Sequence, residues 1–187
     1  LAQMLEKKGL RAYIGKVNMD RNSPKFYREE TAKSLENTMD YIEKLSDFKN
    51  VKPIITPRFV PSCTDKLMEG LGKLAQKYDL KIQSHLSENK EEIDWVKSLH
   101  KDCKSYYDVY EKYGLIREDV NTVMAHCVWL TEEEKKKMID NKIMVSHCPH
   151  SNGNVASGIA PISDMLSMGF KIGLGSDISG GNEMFMG

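Results

Sequence analysis

Several large classes of protein are excluded by what this sequence lacks. It has no Cys-x-x-Cys pair. Cys63, Cys103, Cys127 and Cys148 are isolated and irregularly spaced, which argues against a disulfide framework and for reduced thiols in a cytoplasmic protein. It has no excess of charge, since 27 Lys and Arg balance 27 Asp and Glu. It therefore carries no electrostatic footprint for nucleic acid or an anionic membrane. No apolar run approaches the roughly 20 residues that cross a bilayer, and nothing at the start has the layout of a signal peptide. No Gly-x-Gly-x-x-Gly follows a strand-like run, so a dinucleotide fold loses ground. Neither His-x-Glu nor Pro-Cys-x-x-Cys occurs, which excludes the zinc deaminases built on that pair.

What is present is a strict alternation of strand and helix patterns over 187 residues. Strand-like runs are predicted at Leu10–Val17, Val51–Thr56, Lys81–His85, Asn121–Ala125, Ile143–Ser146 and Lys171–Gly175. Helical spacing is predicted from Lys25 to Phe48, after a cap at Thr64 or Asp65, at Glu91–Leu99 and Tyr106–Tyr113, after a cap at Thr131, and at Ile162–Met168. Ser151–Ala160 reads as a polar, glycine-containing loop. Alternation of this kind argues for a parallel sheet. Six βα-type strands suit a TIM-type (β/α)8 barrel, with two strands expected upstream. Leu1 opens inside a helical pattern and the chain closes in a Met-rich stretch from Met184. Residues 1–187 are therefore expected to be part of a single barrel domain.

The chemistry is expected at the strand ends. Lys81-Ile-Gln-Ser-His85-Leu-Ser-Glu88-Asn89 is an apolar run ending in a histidine, with a carboxylate three residues later. His126 and His147 end the next two strands, and Asp177 follows the last. Residues just past the carboxyl ends of parallel barrel strands converge on one mouth. A neutral imidazole there suits a metal, and a nearby carboxylate can carry protons. A mouth of His, Asp and Glu points to zinc or iron and to hydrolysis. Trp95 and Trp129 read as packing residues.

These segments also resemble a known family. Thr56-Pro-Arg-Phe59, Gln83-Ser-His-Leu-Ser-Glu-Asn89, Met124-Ala-His-Cys127, Ser146-His-Cys-Pro-His-Ser-Asn152 and Gly173-Leu-Gly-Ser-Asp177 are similar, in this order, to guanine deaminases of the metal-dependent amidohydrolase superfamily. The resemblance implies the amidohydrolase kind of barrel and hydrolysis of guanine to xanthine and ammonia in purine catabolism. It implies Zn2+ (with Fe2+ as the alternative), a small-molecule purine as partner and a homodimer as the full-length protein. It places His85 and Asp177 among the metal ligands, Glu88 as general acid/base and His126 beside the attacking water. Asp177 belongs with the catalytic residues as well. Arg58 and Phe59 would hold the purine, in contact with His85, Glu88 and Asp177. The family's other ligands are a His-x-His pair on the first barrel strand. No His-x-His occurs here, and the pair is expected upstream. His150 departs from the family pattern and receives no metal role. The residues also leave room for an amidohydrolase acting on another amino- or halo-substituted ring, and for an inactive binding member of the fold.

Overall fold

A parallel strand pair needs a crossover to return the chain to the same edge of the sheet, and helices supply it here. The computed structural model describes residues 1–118, 120–178 and 180–181. The Met-rich stretch from Met184 lies outside the described residues. A short helix α1 (Ala2–Lys7) precedes β1 (Ala12–Ile14) and β2 (Val17–Asn18). Helix α2 (Thr31–Leu45) leads to β3 (Val51–Pro53) and β4 (Thr56–Pro57), then to a 3-10 turn at Val60–Ser62 and α3 (Asp65–Lys77). Strand β5 (Ile82–Leu86) is followed by α4 (Lys90–Leu99) and α5 (Tyr106–Lys112), and β6 (Thr122–His126) by α6 (Glu132–Asp140). Strand β7 (Met144–His147) is followed by α7 (Pro149–Asn154) and α8 (Ile162–Ser167), and β8 (Ile172–Leu174) comes last.

Every strand pairing among the described residues is parallel. Strand β1 pairs with β3, β2 with β4, and β5, β6, β7 and β8 follow one another in sequence order. Ile55 bridges to Ile82, with Ile55 N–H bonded to Lys81 O and Gln83 N–H to Ile55 O, both at 2.9 Å. The sheet therefore runs through successive neighbours from the first strand to the last. The chain is part of a (β/α)8 barrel.

Apolar packing against the helical layer holds this sheet. Leu67, Met68 and Leu71 of α3, Ile82 and Leu86 of β5, Tyr106, Tyr107 and Tyr110 of α5, Met124 and Met138 form one buried cluster. The starts of α3, α4, α5 and α6 are capped by side chains, as the sequence predicts at Thr64 and Thr131. Thr64 Oγ1 accepts Leu67 N–H, and Thr131 with Glu134 forms a capping box. Each such cap contributes about 1 kcal/mol. All four cysteines are free, and burial pushes the Cys63 thiol up to about 12. Among the described residues, no helix is long and apolar enough to cross a membrane.

Three local expectations are corrected. The runs Leu10–Val17 and Val51–Thr56 are not continuous strands; each divides in two, at matching positions. The cause is a close approach at Gly15. A Cβ there would lie 1.8 Å from Thr56 Oγ1 and 2.7 Å from the Ile54 carbonyl oxygen. The helix predicted from Lys25 begins only at Thr31, because Tyr27 and Arg28 close a turn on Pro24 O and Glu29 N–H bonds to Met19 O. The expected loop at Ser151–Ala160 opens inside α7, where Pro149 occupies the first turn. Proline is preorganised for that position because its N–H is not needed there.

Gly15→Ala should destabilise the full-length protein by about 1–3 kcal/mol, the usual cost of overpacking. Rotating Thr56 would not relieve the clash, because the Ile54 carbonyl remains. Chemical unfolding of the variant within about 0.5 kcal/mol of wild type, below that range, would show that the two strands can part at this point.

Candidate active site

Strand register sets the positions from which the cleft is built. On β5 and β6, His85 lies opposite Ala125 and Leu86 opposite His126. Ile82, Ser84 and Leu86 are buried, whereas Gln83 and His85 alternate with them and are half-buried. Period-two alternation alone would put His126 on the face of Leu86, away from His85. The backbone prevents this. His126 has a left-handed φ of 69°, which rotates its Cβ about the N–Cα bond as the strand ends. Its ring stacks on that of His85, with centroids 5.2 Å apart and planes inclined by 22°.

Each ring has a defined partner. His85 Nδ1 lies 2.5 Å from the carbonyl oxygen of Arg58. A carbonyl can only accept, so Nδ1 carries the proton and Nε2 keeps its lone pair. Although the residue as a whole is half-buried, desolvation of the ring, followed by the adjacent His126, lowers its pKa and keeps it neutral. His126 Nδ1 lies 2.9 Å from Asn152 Oδ1, which assigns the proton to that nitrogen and directs Nε2 to Glu88 Oε2, 3.7 Å away. The other oxygen, Glu88 Oε1, accepts the Ser157 hydroxyl at 2.9 Å. Asp177 has a φ of 46°, and its Oδ2 accepts the Ser151 hydroxyl at 2.5 Å.

Behind these groups is a buried polar layer. Glu88 N–H donates to Glu92 Oε2 at 3.0 Å, and Tyr106 donates its hydroxyl to Glu92 Oε1 at 2.6 Å. Burial raises the Glu92 pKa. Tyr110 donates to the His85 carbonyl at 2.7 Å and lies 2.7 Å from Ser84 Oγ. At the rim, the Arg58 guanidinium carbon sits 5.7 Å from the Phe59 ring centroid. Phe59 meets His85 and Trp95 edge-on, at 6.4 and 6.2 Å.

Arg58, Phe59, His85, Glu88, His126 and Asp177 thus line one cleft of about 350 Å³, together with Ser151. His147 does not line it. Its Nδ1 is buried without a partner among the described residues, and burial lowers its pKa. A larger hollow of about 420 Å³ is walled by Ile93, Tyr106 and Trp129, but it gathers none of the strand-end groups.

A sequence profile of the Amidohydrolase family matches residues 1–186. The chain belongs to the amidohydrolase family. It is 49% identical over 183 residues to a guanine deaminase of Dictyostelium discoideum, covering 97% of this chain and 40% of that protein. It is 45% identical over 189 residues to a guanine deaminase of Rattus norvegicus, covering 100% of this chain and 41% of that protein. The chain thus spans about two fifths of the length of these curated relatives. A crystal structure of guanine deaminase from C. acetobutylicum, with guanine bound in its active site, superposes with a TM-score of 0.92 at 50% identity, over 97% of this chain and 43% of that one.

Within this amidohydrolase chain, the donor set fits a catalytic metal in kind but not in number. A neutral imidazole Nε2 on His85 and the carboxylate of Asp177 are ligand types taken by zinc and ferrous iron. Among the described residues, however, no group of three or more His, Cys, Asp or Glu could hold an ion, and a catalytic zinc typically has about three protein ligands. Sequence reasoning missed Ser151, Asn152 and Ser157, which hold Asp177, His126 and Glu88. Reading Pro149 as the first turn of a helix would have brought Ser151 and Asn152 forward. No comparable signal marks Ser157.

Tyr110→Phe should cost the full-length protein about 1–3 kcal/mol, because it leaves the His85 carbonyl without this donor. Denaturant unfolding is the measurement. A loss below about 0.3 kcal/mol, less than a typical net hydrogen bond, would mean that the end of β5 is held without this hydroxyl.

Proposed function

We propose that the full-length protein deaminates guanine hydrolytically to xanthine and ammonia, and that this chain carries much of the catalytic face. The reading rests on one observation: a strand-end His, a second His, an Asp and a Glu meet an Arg–Phe pair in a single cleft. The guanine-bound relative supports the choice of substrate. Residues 1–187 are read as part of a single barrel domain. Free thiols, three of the four buried, support a reducing, cytoplasmic setting. A homodimeric full-length protein acting in purine catabolism completes the proposal.

When bound, a zinc or ferrous ion held by His85 Nε2 and Asp177, with further donors from outside this chain, would polarise the reacting centre and acidify the attacking water. The rest is the work of the chain's own groups. Glu88 takes one proton from the water and passes it to a ring nitrogen, then takes the second from the hydroxyl added at C2 and passes it to the departing amine, so that ammonia leaves from C2 of the purine. His126 Nε2 faces that carboxylate and orients the attacking water. Arg58 donates to the purine carbonyl, and Phe59 stacks on the ring.

Glu88→Gln in the full-length protein should lower kcat by about 10²–10⁴-fold, the contribution of one acid/base group, while metal content stays at wild type. Turnover within about tenfold of wild type, below that range, would remove Glu88 from the proton path.

The substrate assignment has its own check. Arg58→Met should weaken guanine binding by about 1–3 kcal/mol, seen as a raised KM, with metal content unchanged. Adenine presents an amine where guanine presents the carbonyl, so the unmodified protein should discriminate against adenine. Equal turnover of the two purines, or wild-type kinetics in the variant, would remove Arg58 as the purine clamp.

A further inference from the structure

Glu88 is held in a closed ring of hydrogen bonds that the proposed chemistry does not itself require. Trp129 grips both sides of the ring. Its backbone N–H donates to the carbonyl of Ser87, the residue before Glu88, at 3.0 Å. Its indole N–H donates to the carbonyl of Ser157 at 2.7 Å. Ser157 closes the ring through its hydroxyl, which donates to Glu88 Oε1. Ser157 is only 2% exposed. Gly158 follows with a φ of 119°, and a Cβ there would lie 3.0 Å from the Trp129 ring. The Ser157–Gly158 backbone is therefore held close against the Trp129 ring.

We propose that Ser157, anchored by Trp129, is a positioning residue that commits one oxygen of Glu88 to a fixed hydrogen bond and leaves the other as the proton carrier. The inference rests on the reading of Glu88 as the proton carrier. Oε1 is occupied by the serine, whereas Oε2 faces His126 Nε2 across the cleft. A glutamate side chain has several rotatable bonds, and a proton carrier has to present the same oxygen on each turnover. Ser157 lies 69 residues from Glu88 in sequence, and only the fold brings them together.

The test is Ser157→Ala in the full-length protein, alone and combined with Glu88→Gln, beside Glu88→Gln and Trp129→Phe, with kcat and KM for guanine measured for each. We expect Ser157→Ala alone to lower kcat by about tenfold or more, with KM, metal content and melting temperature near wild type. Combined with Glu88→Gln it should lower the remaining rate no further, because the serine acts through that carboxylate. A wild-type kcat in Ser157→Ala would overturn the proposal. So would the same fold-loss in both backgrounds, since a serine with a merely structural role would behave that way. If Glu88→Gln remains active, the reading of Glu88 fails and this inference fails with it. If Glu88→Gln is inactive and Ser157→Ala behaves as wild type, only this inference fails. Should Ser157→Ala not fold, Trp129→Phe decides. It keeps the hydroxyl but loses the indole anchor, so kcat should fall by less with KM and metal content unchanged, and a wild-type kcat would overturn the proposal.

Discussion

The bond from His85 Nδ1 to the Arg58 carbonyl ties the end of β5 to the loop after β4, and the geometry of the cleft is referenced to it. It fixes the tautomer of His85 and leaves Nε2 free. The carbonyl that accepts it is itself held in place. Arg58 N–H donates to the Asn18 carbonyl at 3.0 Å. The buried Asn18 side chain donates to Ser34 and Thr38 on α2, at 2.9 and 2.8 Å. A path of polar contacts therefore runs from a surface helix through two strands to the proposed ligand. In a low-dielectric interior each of these bonds is costly to leave unmade, so the orientation of His85 is over-determined.

Apolar and polar contacts divide the work on β5. Ile82 and Leu86 pack into the core with α3 and α5, and that burial drives the element into place without directing any side chain. Direction comes from the hydroxyls and carboxylates between core and cleft. Tyr110 fixes the His85 carbonyl, Glu92 fixes the Glu88 amide, and Asn152 fixes the His126 ring. Hydrophobic contacts are non-directional; a site that has to place a lone pair to within a few tenths of an ångström uses hydrogen bonds instead.

The barrel was legible in the sequence because the strand and helix periods alternate cleanly from Ala12 onward. The candidate residues were legible because parallel strands deliver their ends to one edge. Two kinds of feature were not. Breaks in the first strands depend on one glycine meeting a threonine 41 residues away, a tertiary contact invisible to local patterning. The supporting groups Ser151, Asn152 and Ser157 act across gaps of 26 residues or more, on a segment whose glycines and serines suggested a loop. His126 is the most instructive case. Its position at a strand end was readable, but its orientation was not, because alternation sends it to the wrong face and only the left-handed backbone returns it.

That same backbone limits how such a protein can change. Ser87, His126, Cys127 and Asp177 all occupy left-handed conformations, with φ of 50°, 69°, 52° and 46°. A left-handed L-residue carries a strain of roughly 1–2 kcal/mol that glycine would escape. At His126 and Asp177, glycine would release that strain only by deleting the group that the geometry serves. Local stability and chemistry are therefore in direct conflict at these two residues, and selection for heat tolerance would be expected to leave them alone. Improvements would accumulate in the helical shell, in capping residues and surface charges, where a substitution can add stability without touching the cleft.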